Sequence, residues 1–128
     1  MPALQKVFGY RGDTTQLPVP DLDSALPFYE TVLGFRMASR ADQPIPHAVL
    51  TRDAISIGLA QNGGDPTQDG CAFHVSGLRE LFAEFQKNGL AKAPSAIDTE
   101  QRDGVQWEVF YVVAPDGLCY WFGERAPE

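Results

Sequence analysis

Two βαβββ units in tandem, making an α+β chain of mostly antiparallel strands, follow from three features of this sequence. The stretch LPVPDLDSALPFYETVLGF has an extended start and an acidic helix opening at Asp21 or Asp23; apolar side chains at helical spacing run from Leu22 to Leu33, and Gly34 supplies the stop. The same order recurs further on: Val19 corresponds to Val75, Leu22 to Leu78 and Gly34 to Gly89, at offsets of 56, 56 and 55 residues. Asp103-Gly104 and Asp116-Gly117, each between apolar runs, are hairpin signals.

Taken in order, residues 12–19 read as a first strand and the helix follows to Gly34, with Pro27 placed early, where several N–H groups lack partners anyway. Residues 35–40 form a second strand, and 42–46, with two prolines, a loop. Residues 48–51 and 54–60 flank a tight turn at Arg52-Asp53, which closes the first module at about 12–61. Residues 62–69, rich in Gly, Asn, Asp and Pro, are a linker. The second module, about 70–124, opens with a strand at 71–75. Leu78, Leu81, Phe82 and Phe85 then fall at i, i+3, i+4 and i+7, and strands at 96–101, 105–113 and 118–123 complete it. The 128 residues are expected to make one domain.

Composition narrows the classes. With 44% hydrophobic and 21% charged residues the chain is ordinary globular protein, and no apolar run approaches the ~20 residues of a membrane span. Its opening, MPALQKVFGYRGD, lacks the apolar core of a secretory signal, so a cytoplasmic location is expected. Seventeen acidic against ten basic side chains give a net charge of −7, which repels phosphate backbones and argues against a nucleic-acid partner. Cys71 and Cys119 are too few for a disulfide framework and lack metal-type spacing; buried reduced thiols are expected.

The run 17–35, together with Val112-Val113-Ala114-Pro115-Asp116-Gly117 ahead of Leu118-Cys119-Tyr120-Trp121, resembles the opening and the closing hairpin of the vicinal oxygen chelate superfamily, which includes glyoxalase I, bleomycin resistance proteins and extradiol dioxygenases. Ala114 stands where that family more often has an acidic residue. The resemblance runs over nearly the whole chain. It implies a cupped sheet in each half, modules paired within a chain or across a dimer, and, in metal-using members, a divalent ion held by four His, Gln or Glu ligands.

Carried onto this sequence, the four ligand positions fall on Thr14, Gly58, Gly70 and Trp121. Glycine has no side chain, indole N–H only donates, and a lone threonine hydroxyl is a poor ligand for a divalent ion. The expectation is therefore no metal and no other cofactor. Metal-dependent members polarise two vicinal oxygens on the ion, so its loss would remove the Lewis acid.

Side chains of the same strand parity are expected to line the cup: Thr14, Gln16, Ser56, His74, Cys119 and Trp121. Trp107 is a further candidate, since both faces of 105–113 are apolar and parity alone does not assign it. The opposite parity, Leu17, Val19, Ile57, Leu59, Phe73, Val75, Tyr120 and Phe122, is the more apolar and suits a helix-covered face. Trp121 either walls the pocket or fills the space an ion would take. His74 is either structural or a general base, with Glu108 or Tyr111 as a second group, and His47 reads as a loop residue.

Two functions follow from the resemblance. One is a metal-independent protein that binds or sequesters an antibiotic-like or other small organic ligand, which the acidic charge would suit to a cation. The other is a glyoxalase- or dioxygenase-type enzyme with a relocated metal or a metal-free acid/base pair. Aromatic-rich strands and the family's module pairing favour a homodimer.

Overall fold

A computed structural model describes residues 2–90 and 97–126, and within them nine strands divide between two sheets. The strands are β1 (Ala3–Gly9), β2 (Leu17–Pro18), β3 (Arg36–Ala41), β4 (His47–Arg52), β5 (Ile55–Ala60), β6 (Gly70–Ser76), β7 (Asp98–Arg102), β8 (Val105–Val113) and β9 (Cys119–Arg125). One sheet runs β2-β5-β4-β3 and the other β1-β6-β9-β8-β7. In each, the strand before the helix lies parallel to the last strand of its unit, β2 on β5 and β6 on β9, while the remaining pairs are antiparallel. The chain is α+β, and both halves repeat one strand order.

Helix α1 (Leu22–Pro27) is shorter than its sequence pattern and continues as a π-helical turn over Phe28–Val32. Pro27 lies at the changeover rather than in the first turn. It has no N–H to give, and from there the ladder widens, with Leu33 N–H reaching the Phe28 carbonyl five residues back. Gly34, at φ +73°, turns the chain into β3, as its position in the sequence predicts. The α1 start is held from a distance: Gln61 Oε1 accepts from Leu22 N–H at 2.8 Å.

Helix α2 (Leu78–Lys87) buries Leu78, Leu81 and Phe85, with Phe82 packed at the margin. Its N-terminus has no serine or aspartate cap, because Gly77 occupies that place in a left-handed conformation. Glu124 on β9 supplies the acceptor instead, taking Gly77 N–H at 2.9 Å and Leu78 N–H at 3.0 Å.

Both helices cover one face of their sheet, and the apolar parity read from the sequence lies there: Leu17, Val19, Ile57, Leu59, Phe73, Val75, Tyr120 and Phe122 all belong to one buried cluster. Phe122 is stacked on Phe73 (4.8 Å) and Phe110 (5.1 Å), with Phe85 of α2 edge-on at 5.3 Å. Between the two halves, Tyr29 and Tyr120 share a buried hydroxyl hydrogen bond at 2.5 Å, and Tyr29 also donates to Asp116 at 3.2 Å.

Four further features depart from the sequence reading. The expected strand at 12–19 forms ladder pairs only at Leu17 and Pro18, and a strand not foreseen, β1, lies antiparallel to β6 at the edge of the second sheet. The tight turn after β4 falls on Asp53-Ala54, one residue later than expected, with Asp53 at φ +53°. His47 starts β4 instead of lying in the loop. The expected strand start at Ala96 lies outside the described residues; β7 begins at Asp98.

Candidate functional site

The face of the five-stranded sheet turned away from the helices carries the polar and aromatic chemistry. Cross-strand partners share a face, so the register groups these side chains directly. Lys6 lies opposite His74, Phe8 opposite Ala72, Ala72 opposite Trp121, Trp121 opposite Tyr111, and Trp107 opposite both Arg125 and Glu100. They surround a hollow of about 520 Å³ lined by Lys6, Phe8, His74, Arg102, Trp107 and Trp121, with Arg125 at its rim.

Aromatic rings form one side of this hollow. The His74 ring lies 4.9 Å from Phe8 and 4.7 Å from Trp107, and Trp107 meets Trp121 edge-on at 5.6 Å. Phe8 is 50% exposed, whereas Trp121 is buried. The Trp121 ring lies across Gly123, where any Cβ would collide with it. Above it, the Arg102 guanidinium stands 4.4 Å from the ring centroid. Trp121 is therefore the floor, and the open wall is Phe8, His74 and Trp107.

Glu100 on β7 organises that floor. It accepts from Trp121 Nε1 at 3.2 Å, from Arg102 Nε at 3.2 Å and from the Tyr111 hydroxyl. Burial opposes its ionisation, but these donors outweigh it and hold the carboxyl below the usual carboxylate range. His74 moves the opposite way for a base: burial, then the charges of Lys6 and Arg102, lower its pKa and keep the imidazole neutral.

The residues singled out from the sequence separate into two groups. His74, Trp107, Trp121 and Cys119 share the concave face of the second sheet, and the first three line its hollow. Burial pushes the Cys119 thiol up, so it is no ready nucleophile. Thr14, Gln16 and Ser56 are not part of this hollow, because they sit against the other sheet. The Thr14 carbonyl accepts from Gly58 N–H at 2.8 Å, Ser56 is exposed on β5, and Gln16 borders a separate hollow of about 380 Å³ with Thr15, Pro44, Ile45, His47 and Ala60.

The pairing of His74 with Glu108 as acid and base is also corrected. Glu108 lies opposite Glu124, on the helix side of the sheet, and bonds Arg79 at 2.9 Å. The sequence reading does not reach Lys6, Phe8, Glu100, Arg102 or Arg125. Parity along 98–102 against 105–113 is the signal that would find Glu100 and Arg102. No comparable signal marks β1, whose alternation is broken by a register shift between Leu4 and Lys6.

Three of the four positions that the resemblance assigns to metal ligands, Gly58, Gly70 and Trp121, do not fit an ion. A Cβ at Gly58 would run into the Thr15 carbonyl oxygen, and one at Gly70 into that of Cys119, so the backbone excludes any side chain there. Trp121 spends its only polar hydrogen on Glu100. Among the described residues, no three His, Cys, Asp or Glu side chains are grouped to hold a metal ion. His47 and His74 lie on different sheets.

A family model described as Glyoxalase/Bleomycin resistance protein/Dioxygenase superfamily matches residues 11–120. Among solved structures, a virulence protein from Salmonella typhimurium superposes with a TM-score of 0.68 at 20% identity, covering 89% of this chain and 95% of that one. A bleomycin resistance determinant encoded on the transposon Tn5 superposes at 0.66 and 23% identity, covering 88% and 96%. A bleomycin-binding protein complexed with bleomycin does so at 0.62 and 24%, covering 90% and 97%. At these identities the likeness is one of fold. No curated protein matches the chain in sequence.

Proposed function

We propose that this chain, which belongs to the glyoxalase/bleomycin resistance protein/dioxygenase superfamily, is a metal-independent binding protein that holds a small organic ligand, antibiotic-like or otherwise, against the concave face of its five-stranded sheet. One observation carries the reading: Phe8, His74 and Trp107 form a contiguous half-exposed wall on a hollow of about 520 Å³, within the range of about 300–1,000 Å³ typical of ligand sites. The floor beneath it is fixed by Glu100, Trp121 and Arg102, so the wall is preorganised. A fold relative bound to bleomycin supports the idea that this architecture can sequester an organic molecule.

A homodimer in the cytoplasm completes the reading. The hollow is open on one side, and large apolar side chains stand exposed beside both sheets: Phe8 and Val113 on the second, Val49 on the first. A second copy would cover them and roof the site.

The experiment is a titration of the purified protein against a chemically diverse panel of flat organic compounds, followed by tryptophan fluorescence and calorimetry. Saturable binding that is unaffected by chelator, with no stoichiometric Ni, Zn, Fe or Mn by elemental analysis, is expected. A tightly held metal required for ligand binding would refute the metal-independent reading and favour the enzyme of the same superfamily.

A further inference from the structure

The geometry points to a planar aromatic anion, of the aryl carboxylate class, as the ligand of this hollow: its ring against Phe8, His74 and Trp107, its charge between Lys6 and Arg125. The inference rests on the binding function proposed above and names the chemistry of what is bound.

Charge distribution is the first argument. The chain carries seventeen acidic and ten basic side chains. Yet the lining of this hollow holds three of the basic ones, Lys6, Arg102 and Arg125, against a single acidic one, Asp103. A molecule with net charge −7 has thus collected cations where its aromatic wall is. That reverses what bulk charge suggests, because a bound ion responds to the nearest charges, and those beyond a Debye length of about 8–10 Å are screened.

The second argument is which cations are already satisfied. Arg102 is neutralised by Glu100 at 3.2 Å and packed on Trp121. Lys6 and Arg125 are both exposed, and among the described residues neither bonds a carboxylate. They come from β1 and β9, with the His74 strand between them, and lie in register with two members of the ring wall, Lys6 with His74 and Arg125 with Trp107. Burial first, and then the charges of Lys6 and Arg102, lower the His74 pKa and leave a neutral imidazole able to stack or to share one hydrogen bond. A cationic ring placed here would meet these charges head-on, and an aliphatic acid would leave the aromatic wall unused.

Calorimetry on the full chain with three probes of one shape tests this: 2-naphthoate, neutral 2-naphthamide and cationic 2-naphthylmethylammonium. Naphthoate is expected to bind about tenfold or more tighter than either of the others, with affinity that falls as salt is raised. The double variant Lys6→Glu, Arg125→Glu changes two exposed side chains, and its fold is checked by circular dichroism. It should lose the naphthoate preference and gain affinity for the ammonium probe. Equal binding of the three probes, or tighter binding of the cation by the wild-type chain, overturns the anion assignment and leaves the binding function standing. Binding of none of them overturns the wall as a binding surface, and the function proposed on it falls too.

Discussion

Arg52 at the end of β4 grips Glu84 in the middle of α2 through two nitrogen–oxygen contacts, 2.6 and 2.9 Å, and donates to the Leu33 carbonyl at 2.7 Å with the same Nη1. The Arg52 side chain is only 11% exposed. One guanidinium thereby ties the hairpin of the first sheet, the exit of the π-helical turn and the helix of the second unit into one joint. Its planar fork matches a carboxylate in a way a lysine cannot.

Breaking that joint from one side should be costly. Glu84→Met, and separately Arg52→Met, are expected to destabilise the protein by about 2–3 kcal/mol: the first leaves Arg52 only the Asp53 carboxylate at 3.3 Å, and the second leaves Glu84 without its cation. The check is the urea midpoint at unchanged slope. The double variant Arg52→Met, Glu84→Met should cost less than the two single changes together.

Glu124 replaces a missing local cap. Glu124→Ala is expected to lower stability by about 1–2 kcal/mol, because two N–H groups at the α2 start lose their acceptor. Hydrogen exchange resolved by residue should speed up first at Gly77 and Leu78. Unchanged protection there would show the cap to be unimportant.

Asp116 is expected to give the stability a downward slope with pH. Burial raises its pKa, and the bonds from Leu118 N–H and the Tyr29 hydroxyl offset this only in part. The folded chain therefore keeps the proton at a pH where the unfolded chain has released it. The contribution is complete below the ordinary aspartate value and is lost as pH rises through the raised one. Asp116→Asn keeps an acceptor for Leu118 N–H, reverses the Tyr29 contact so that the amide donates to the hydroxyl oxygen, and removes the titration. Relative to wild type, it should gain stability as pH goes from about 4 to 7, and urea midpoints across that range would show it.

Placing ligands at the positions the resemblance assigns to a metal should fail. Gly70→His and Gly58→Glu each push a Cβ into a backbone carbonyl on the neighbouring segment, and each is expected to cost about 3 kcal/mol or more without creating a metal site. Thermal melts with and without added zinc test this. A rise in melting temperature with zinc would contradict it.

Much of this fold is legible in the sequence because its local signals agree with one another. The period-two pattern of Ile57 and Leu59, and of Phe73 and Val75, marks the helix-covered face, and Asp103-Gly104 marks its hairpin; there both turn residues have positive φ, 53° and 78°. Of the residues lining the candidate hollow, the sequence points only to His74, Trp107 and Trp121. Its charged rim lies on β1, where a bulge interrupts alternation, and on β7, a polar strand with no apolar pattern to read. Parity groups Thr14, Gln16 and Ser56 with His74 and Trp121 although they lie on the other sheet's side, because it tells which face a residue occupies, not which of two sheets will share a hollow.

The amino-terminal strand has a wider consequence. It clips onto β6 through the Ala3–Gly9 ladder, while Leu4 N–H bonds Asp53 at 2.9 Å in the opposite half. Stripped of this strap, β6 would become a bare edge, ready to recruit the same segment from a neighbouring molecule. Damage to the first nine residues would then announce itself as concentration-dependent strand exchange between molecules.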